Sequence, residues 1–155
     1  MIKLNKILVP TDFSDYSKHA LPYGCALAAE FGADLHLLHV MQDVVALVPE
    51  VGIAFPPTGD YWRELQESTE KALEQLPGSL WSGGQPVVRA TREGAPFVEI
   101  VRYAKEHEID LIVMGTHGRT GLSHILLGSV AERVVRKAPC PVLTVRHPEH
   151  EFVMP

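Results

Sequence analysis

The order in which apolar segments follow one another limits this chain to few folds. Short aliphatic runs stand at Ile7–Pro10, Asp34–Met41, Val87–Thr91, Ile109–Met114 and Val142–Val145, and a segment with helical character separates each from the next. Ile109–Met114 carries no regular polar alternation, which suits a strand buried on both faces. Strict alternation of strand and helix leads to a parallel sheet joined by right-handed crossovers. We therefore expect an α/β domain, doubly wound, with five parallel strands and helices on both faces, and take the order 3-2-1-4-5 for its sheet. Ligands of such sheets bind at the carboxyl ends of the strands, where the strand order reverses.

The helices are read from apolar spacing and end signals. Asp15–Phe31 follows the capping cluster Phe13-Ser14-Asp15, places Ala20, Gly24, Ala28 and Phe31 on one small-residue face, and stops at Gly32. Pro22 removes one backbone donor and is expected to kink this helix. Tyr61–Leu76 offers Leu65, Ala72, Leu73 and Leu76 as a stripe, and a third helix opens at Glu93-Gly94-Ala95-Pro96 with proline in a tolerated first-turn position. Ser129–Lys137 closes the series with basic residues in its last turn. The connection Gln42–Asp60 holds Pro49, Pro56 and Pro57 among many apolar residues, and its length suggests a lid or an oligomer contact.

A length of 155 residues fits a single domain, 1–147, with a polar tail at 148–155. A net charge of -5 gives no electrostatic support for non-specific binding to nucleic acid or anionic membrane. No apolar run reaches the roughly 20 residues that span a bilayer, and no signal-peptide pattern opens the chain. We expect a cytoplasmic protein with Cys25 and Cys140 as free thiols.

The stretch from Leu111 to Ser129, LIVMGTHGRTGLSHILLGS, breaks an aliphatic run with glycines and restarts as a helix. Gly115, Gly118, Gly121 and Gly128 let an anion approach main-chain N–H groups, and Ser129 stands at a helix start whose dipole favours negative charge. The spacing alone does not separate this reading from a plain turn sealed by a capping box of Ser129 and Glu132. It is neither G-x-x-x-x-G-K-[ST] nor G-x-G-x-x-G. In the order 3-2-1-4-5 the first and fourth strands are neighbours, so Thr11 and Asp12 lie beside the glycine stretch and Val40 ends the adjacent strand. Asp12 is then either a ribose acceptor or a helix cap, and Val40 and Met114 are base contacts, core packing or both.

These residues resemble the universal stress protein family over essentially the whole chain. Nucleotide-binding members carry G-x-x-G, nine residues, then G-[ST], and Gly115, Gly118, Gly128 and Ser129 have that spacing. The opening ILVPTDFS and the closing CPVLTVR are similar to the family's first and last strands. The resemblance implies a Rossmann-like domain, similar to the adenine nucleotide alpha hydrolases, that binds ATP, often with Mg²⁺ or Mn²⁺. It places Pro10, Thr11, Asp12 and Val40 around adenine and ribose. Met114, Gly115, His117, Gly118, Arg119, Gly128, Ser129 and Val130 then line the ribose and phosphates. It also implies a homodimer through Val142, Leu143, Thr144 and Val145, where an uncovered terminal strand leaves backbone groups for a partner strand.

Three functions follow: an ATP-binding regulatory module of the stress response read by another protein, a weak ATPase, and a nucleotide-independent dimeric interaction protein. His39 and His117 are candidate acid/base groups, but no nucleophile-and-base constellation can be assembled around them, and the histidines show no metal-ligand spacing.

Overall fold

The computed structural model describes residues 1–42, 59–117 and 127–148. Strands β1 (Lys6–Pro10), β2 (Asp34–Met41), β3 (Val87–Glu93), β4 (Leu111–Gly115) and β5 (Val142–Val145) form one sheet ordered β3-β2-β1-β4-β5. Every neighbouring pair is parallel. Helices α1 (Asp15–Phe31), α2 (Gly59–Glu74), α3 (Pro96–Glu106) and α4 (Ser129–Lys137) connect the strands. The connection expected at Gln42–Asp60 lies outside the described residues except at its ends, and Gly59 and Asp60 already belong to α2.

The sheet divides the apolar side chains into two cores through the two-residue period of its strands. Ile7, Val9, Leu35, Leu37 and Val113 face one side, with Ala20, Leu21, Cys25 and Ala28 of α1 and Leu73 of α2. Leu8, Leu38, Ile112 and Met114 face the other, with Ile100, Tyr103 and Ala104 of α3 and Ala131 and Val134 of α4. Ser14 is the N-cap of α1, its hydroxyl accepting from the Ser17 N–H, and Gly32 closes the helix at φ 63° with its N–H turned to Ala28 and Ala29. Helix α1 runs unbroken through Pro22, which is exposed. Phe31 departs from the expected stripe: it is 47% exposed. The chain turns at Gly32, and Ala33, wholly buried, takes the inward position instead.

A buried polar cluster lies away from the sheet's carboxyl edge. His36 of β2 is buried, and its Nδ1 shares a 2.9 Å hydrogen bond with Tyr103 Oη. The Tyr103 ring stacks on His107 at 4.0 Å and receives the Arg92 guanidinium at 5.6 Å. Burial, followed by the charge of His107, lowers the His36 pKa, and Lys6 adds to this while Asp34 opposes it. The unfolded chain therefore takes up this proton more readily than the folded one. The stabilisation from neutral His36 is complete above the unfolded value near 6.5 and is lost as pH falls from there toward the lowered folded value. Urea unfolding midpoints are expected to fall between pH 7.5 and pH 5, with a shallower slope in His36→Asn, which keeps a polar atom toward Tyr103 but does not titrate. Equal slopes for the two proteins would refute the assignment.

Candidate functional site

The sheet's topology opens a crevice where its order reverses. The β1–β4 ladder covers only Ile7–Leu111 and Leu8–Ile112, whereas β1–β2 pairing continues to Pro10–Leu38. Beyond that short ladder the ends of β1 and β4 carry Thr11-Asp12 and Gly115-Thr116-His117.

The β1 end is a closed polar turn. Thr11 N–H donates to Leu38 O at 2.8 Å, extending the contact with β2 past the strand. Thr11 Oγ1 accepts from the Phe13 N–H at 3.1 Å and lies 3.1 Å from Ser17 Oγ. Since the Ser17 hydroxyl donates to Ser14 O at 3.0 Å, it is Thr11 that donates to Ser17. Asp12 Oδ1 accepts from both the backbone N–H and the hydroxyl of Ser14. The cap of α1 is therefore Ser14, and Asp12 orients the cap. His39, at the end of β2, places Nδ1 2.8 Å from Thr11 O.

The β4 end is held against two helices by close backbone contacts. A Cβ on Gly115 would stand 2.7 Å from Tyr16 O in the first turn of α1. Thr116 N–H donates to Val145 O at 3.1 Å, tying the loop to β5. Thr116 O in turn accepts from Gly128 N–H at 2.6 Å, which seats the start of α4 on the end of β4. A Cβ on Gly128 would lie 3.0 Å from Thr116 O and 3.3 Å from His117 Cα. Neither glycine has positive φ; proximity, not a special turn, is what each supplies. His117 is buried, with Nδ1 2.9 Å from Thr116 Oγ1 and its ring 5.8 Å from that of Tyr16.

The capping box that Ser129 and Glu132 could form at α4 is replaced by another arrangement. Gly128 is the N-cap, without a side-chain hydrogen bond, and Ser129 is the first helical residue. Glu132 instead pairs with Arg136 at 3.0 Å, one turn further along. A helix start leaves its first N–H groups without intrahelical partners, and Gly128 has no side chain to cap them. Ser129 itself is exposed.

The apolar wall of the crevice belongs to a single core. Met114 is part of it, and Val40, Leu127 and Val130 are partly buried against it. Leu127 was not singled out by the sequence pattern, because its position next to Gly128 reads as loop. Pro10 and Thr11 are buried, while Asp12 is half-buried. Of the residues that the family resemblance brings forward, the structure gathers Thr11 and Asp12 at one strand end and Met114, Gly115, His117, Gly128, Ser129 and Val130 at its neighbour. Gly118 and Arg119 lie outside the described residues.

The arrangement places the chain among doubly wound α/β proteins, with the ends of β1 and β4 and the start of α4 brought together where the strand order reverses. The profile of the universal stress protein family matches residues 3–146. The chain belongs to that family. It is 41% identical over 147 residues to the universal stress protein MJ0531 of Methanocaldococcus jannaschii, covering 94% of this chain and 84% of the relative. Among solved structures, protein MJ0577 superimposes with a TM-score of 0.81 at 34% identity, over 96% of this chain and 99% of that one. A universal stress protein solved in complex with cAMP superimposes with a TM-score of 0.59 at 26% identity, over 93% and 98% of the two chains.

Proposed function

We propose that this protein is a regulatory module that binds an adenine nucleotide, ATP, together with Mg²⁺ or Mn²⁺. The start of α4 carries the reading: Gly128 N is held 2.6 Å from Thr116 O, this N-cap residue supplies no side-chain cap, and the aligned dipoles favour an anion there. Gly115, Gly118, Arg119, Gly128 and Ser129 would hold the phosphates, and the Asp12 carboxylate would accept ribose hydroxyls. Val40, Met114 and Val130 would meet the base with apolar surface. The relative solved with cAMP supports an adenine nucleotide as the ligand class. Among the described residues no group of three or more His, Cys, Asp or Glu side chains is arranged for a metal, so phosphate oxygens would supply most ligands of an accompanying cation.

The module is a binder in this reading, its occupancy sensed by a protein partner in the cytoplasm, and weak ATP hydrolysis is the alternative. Residues 1–147 form its one domain. Strand β5 lies at the sheet edge beside β4, with Leu143 38% exposed, and this favours a homodimer paired through Val142–Val145.

Denaturing the purified protein and identifying released nucleotide by chromatography and mass, followed by titration with ATP and Mg²⁺, tests the reading. ATP or ADP in near-stoichiometric amount, or saturable ATP binding, is expected. Absence of both rejects it, and turnover that disappears in Asp12→Ala selects the ATPase. A monomeric mass at micromolar concentration would remove the edge-pairing proposal.

A further inference from the structure

Phe13 is a bulky residue held where bulky residues are rare. Its φ is +61°, in the left-handed region that suits glycine. Residues in such conformations persist where their surroundings over-determine them, and they concentrate at functional sites. Here the surroundings come from three elements. The Phe13 N–H is engaged by Thr11 Oγ1, whose own proton goes to Ser17 on α1. The Phe13 ring lies stacked on His39 of β2, with centroids 4.7 Å apart and planes inclined by 30°. His39 is buried, and its Nδ1 faces the Thr11 carbonyl at 2.8 Å. A carbonyl only accepts, so Nδ1 carries the proton in either charge state of the ring.

His39 thus touches both sides of Asp12: it grips the carbonyl of the residue before and the ring of the residue after. We propose that His39 is a positioning residue for the nucleotide site, clamping Thr11 and Phe13 so that the Asp12 carboxylate between them is set before ligand arrives. The inference rests on the nucleotide reading above and assigns it a residue that the glycine motif does not contain. A carboxylate held in place loses less freedom on binding, and the gain appears as affinity. His39 thereby acts on the site through the turn, without itself touching ligand.

The test separates positioning from mere support. ATP affinity is measured by titration calorimetry, well below the unfolding temperature of every protein compared. Wild type is set beside His39→Phe, His39→Asn and Phe13→Gly. His39→Phe keeps a ring for the stack and deletes the donor, and a loss of ATP affinity of about tenfold is expected. His39→Asn restores an N–H near the Nδ1 position and is expected to bind within about threefold of wild type. Phe13→Gly relieves the left-handed backbone but frees the turn, so affinity should fall several-fold without a matching fall in unfolding temperature. Phe13→Gly also serves if His39→Phe does not fold. Wild-type affinity in Phe13→Gly, or in a folded His39→Phe, overturns the clamp, as does His39→Asn binding no better than His39→Phe. If wild type itself binds no ATP, the nucleotide reading fails first and the clamp falls with it.

Discussion

Gly128→Val is expected to weaken ATP binding by at least about 30-fold, a loss of about 2 kcal/mol. The reason is local and steric. A Cβ at this position already stands 3.0 Å from Thr116 O and 3.3 Å from His117 Cα, both backbone atoms that no rotamer change can move aside. The γ-methyls of valine add further bulk, so the start of α4 must retreat from the end of β4 and the 2.6 Å bond from Gly128 N–H to Thr116 O is lost. The start of α4 then no longer lies close against Thr116 and His117. The backbone at Gly128, φ -64° and ψ 157°, is one that valine adopts readily, so strain in the dihedrals contributes nothing. Titration calorimetry of a folded Gly128→Val preparation decides the matter, and an affinity within threefold of wild type would place the phosphates elsewhere.

The second large effect is on stability and lies on the opposite face of the sheet. Gly24→Val is expected to destabilise the fold by about 3 kcal/mol, near the upper end of ordinary overpacking costs. Even a bare Cβ at position 24 would stand 2.3 Å from Cγ2 of Val9, a strand residue with no exposed surface. Val9 sits among Ile7, Ala20, Leu21 and Val113 in a packed core, so either α1 lifts from β1 or the valine leaves its rotamer. For a domain of this length, about 3 kcal/mol corresponds to a fall of roughly 6–12 °C in Tm. Paired Gly24→Val and Val9→Ala would recover part of the loss, because removing the γ-methyls opens the space. Thermal unfolding of the single and double variants measures this, and an unchanged Tm in Gly24→Val would show that α1 does not lie against β1 as described.

Much of the architecture is written in local pattern. The bounds of α1, β2, α4 and β5 agree with those read from apolar spacing and end signals, and the strand order is the one taken for the sheet. Where the reading departs from the structure, a longer-range contact decided. Asp12 and Ser14 both belong to residue types that cap helices, and only the assembled turn shows Ser14 accepting from Ser17 while Asp12 holds Ser14. Ser129 with Glu132 has the form of a capping box, yet the bond from Gly128 to Thr116 sets the helix to begin at Ser129, and Glu132 turns to Arg136. Phe31 fits the apolar stripe of α1 by spacing, but the chain reverses at Gly32 before that position reaches the core.

By itself, then, the sequence determined the five strands, their order, the family and the segments that meet at the switch point. Side-chain period and end signals act over a few residues and survive in a linear string. The tertiary structure alone decided what those segments do to one another: the approach of Gly115 to Tyr16, the seating of Gly128 on Thr116, the tie from Thr116 to Val145, and the stack of Phe13 on His39. Each joins residues on different elements, most of them far apart along the chain. Sheet register and helix packing set those distances to within tenths of an ångström, and residue identity alone does not encode them.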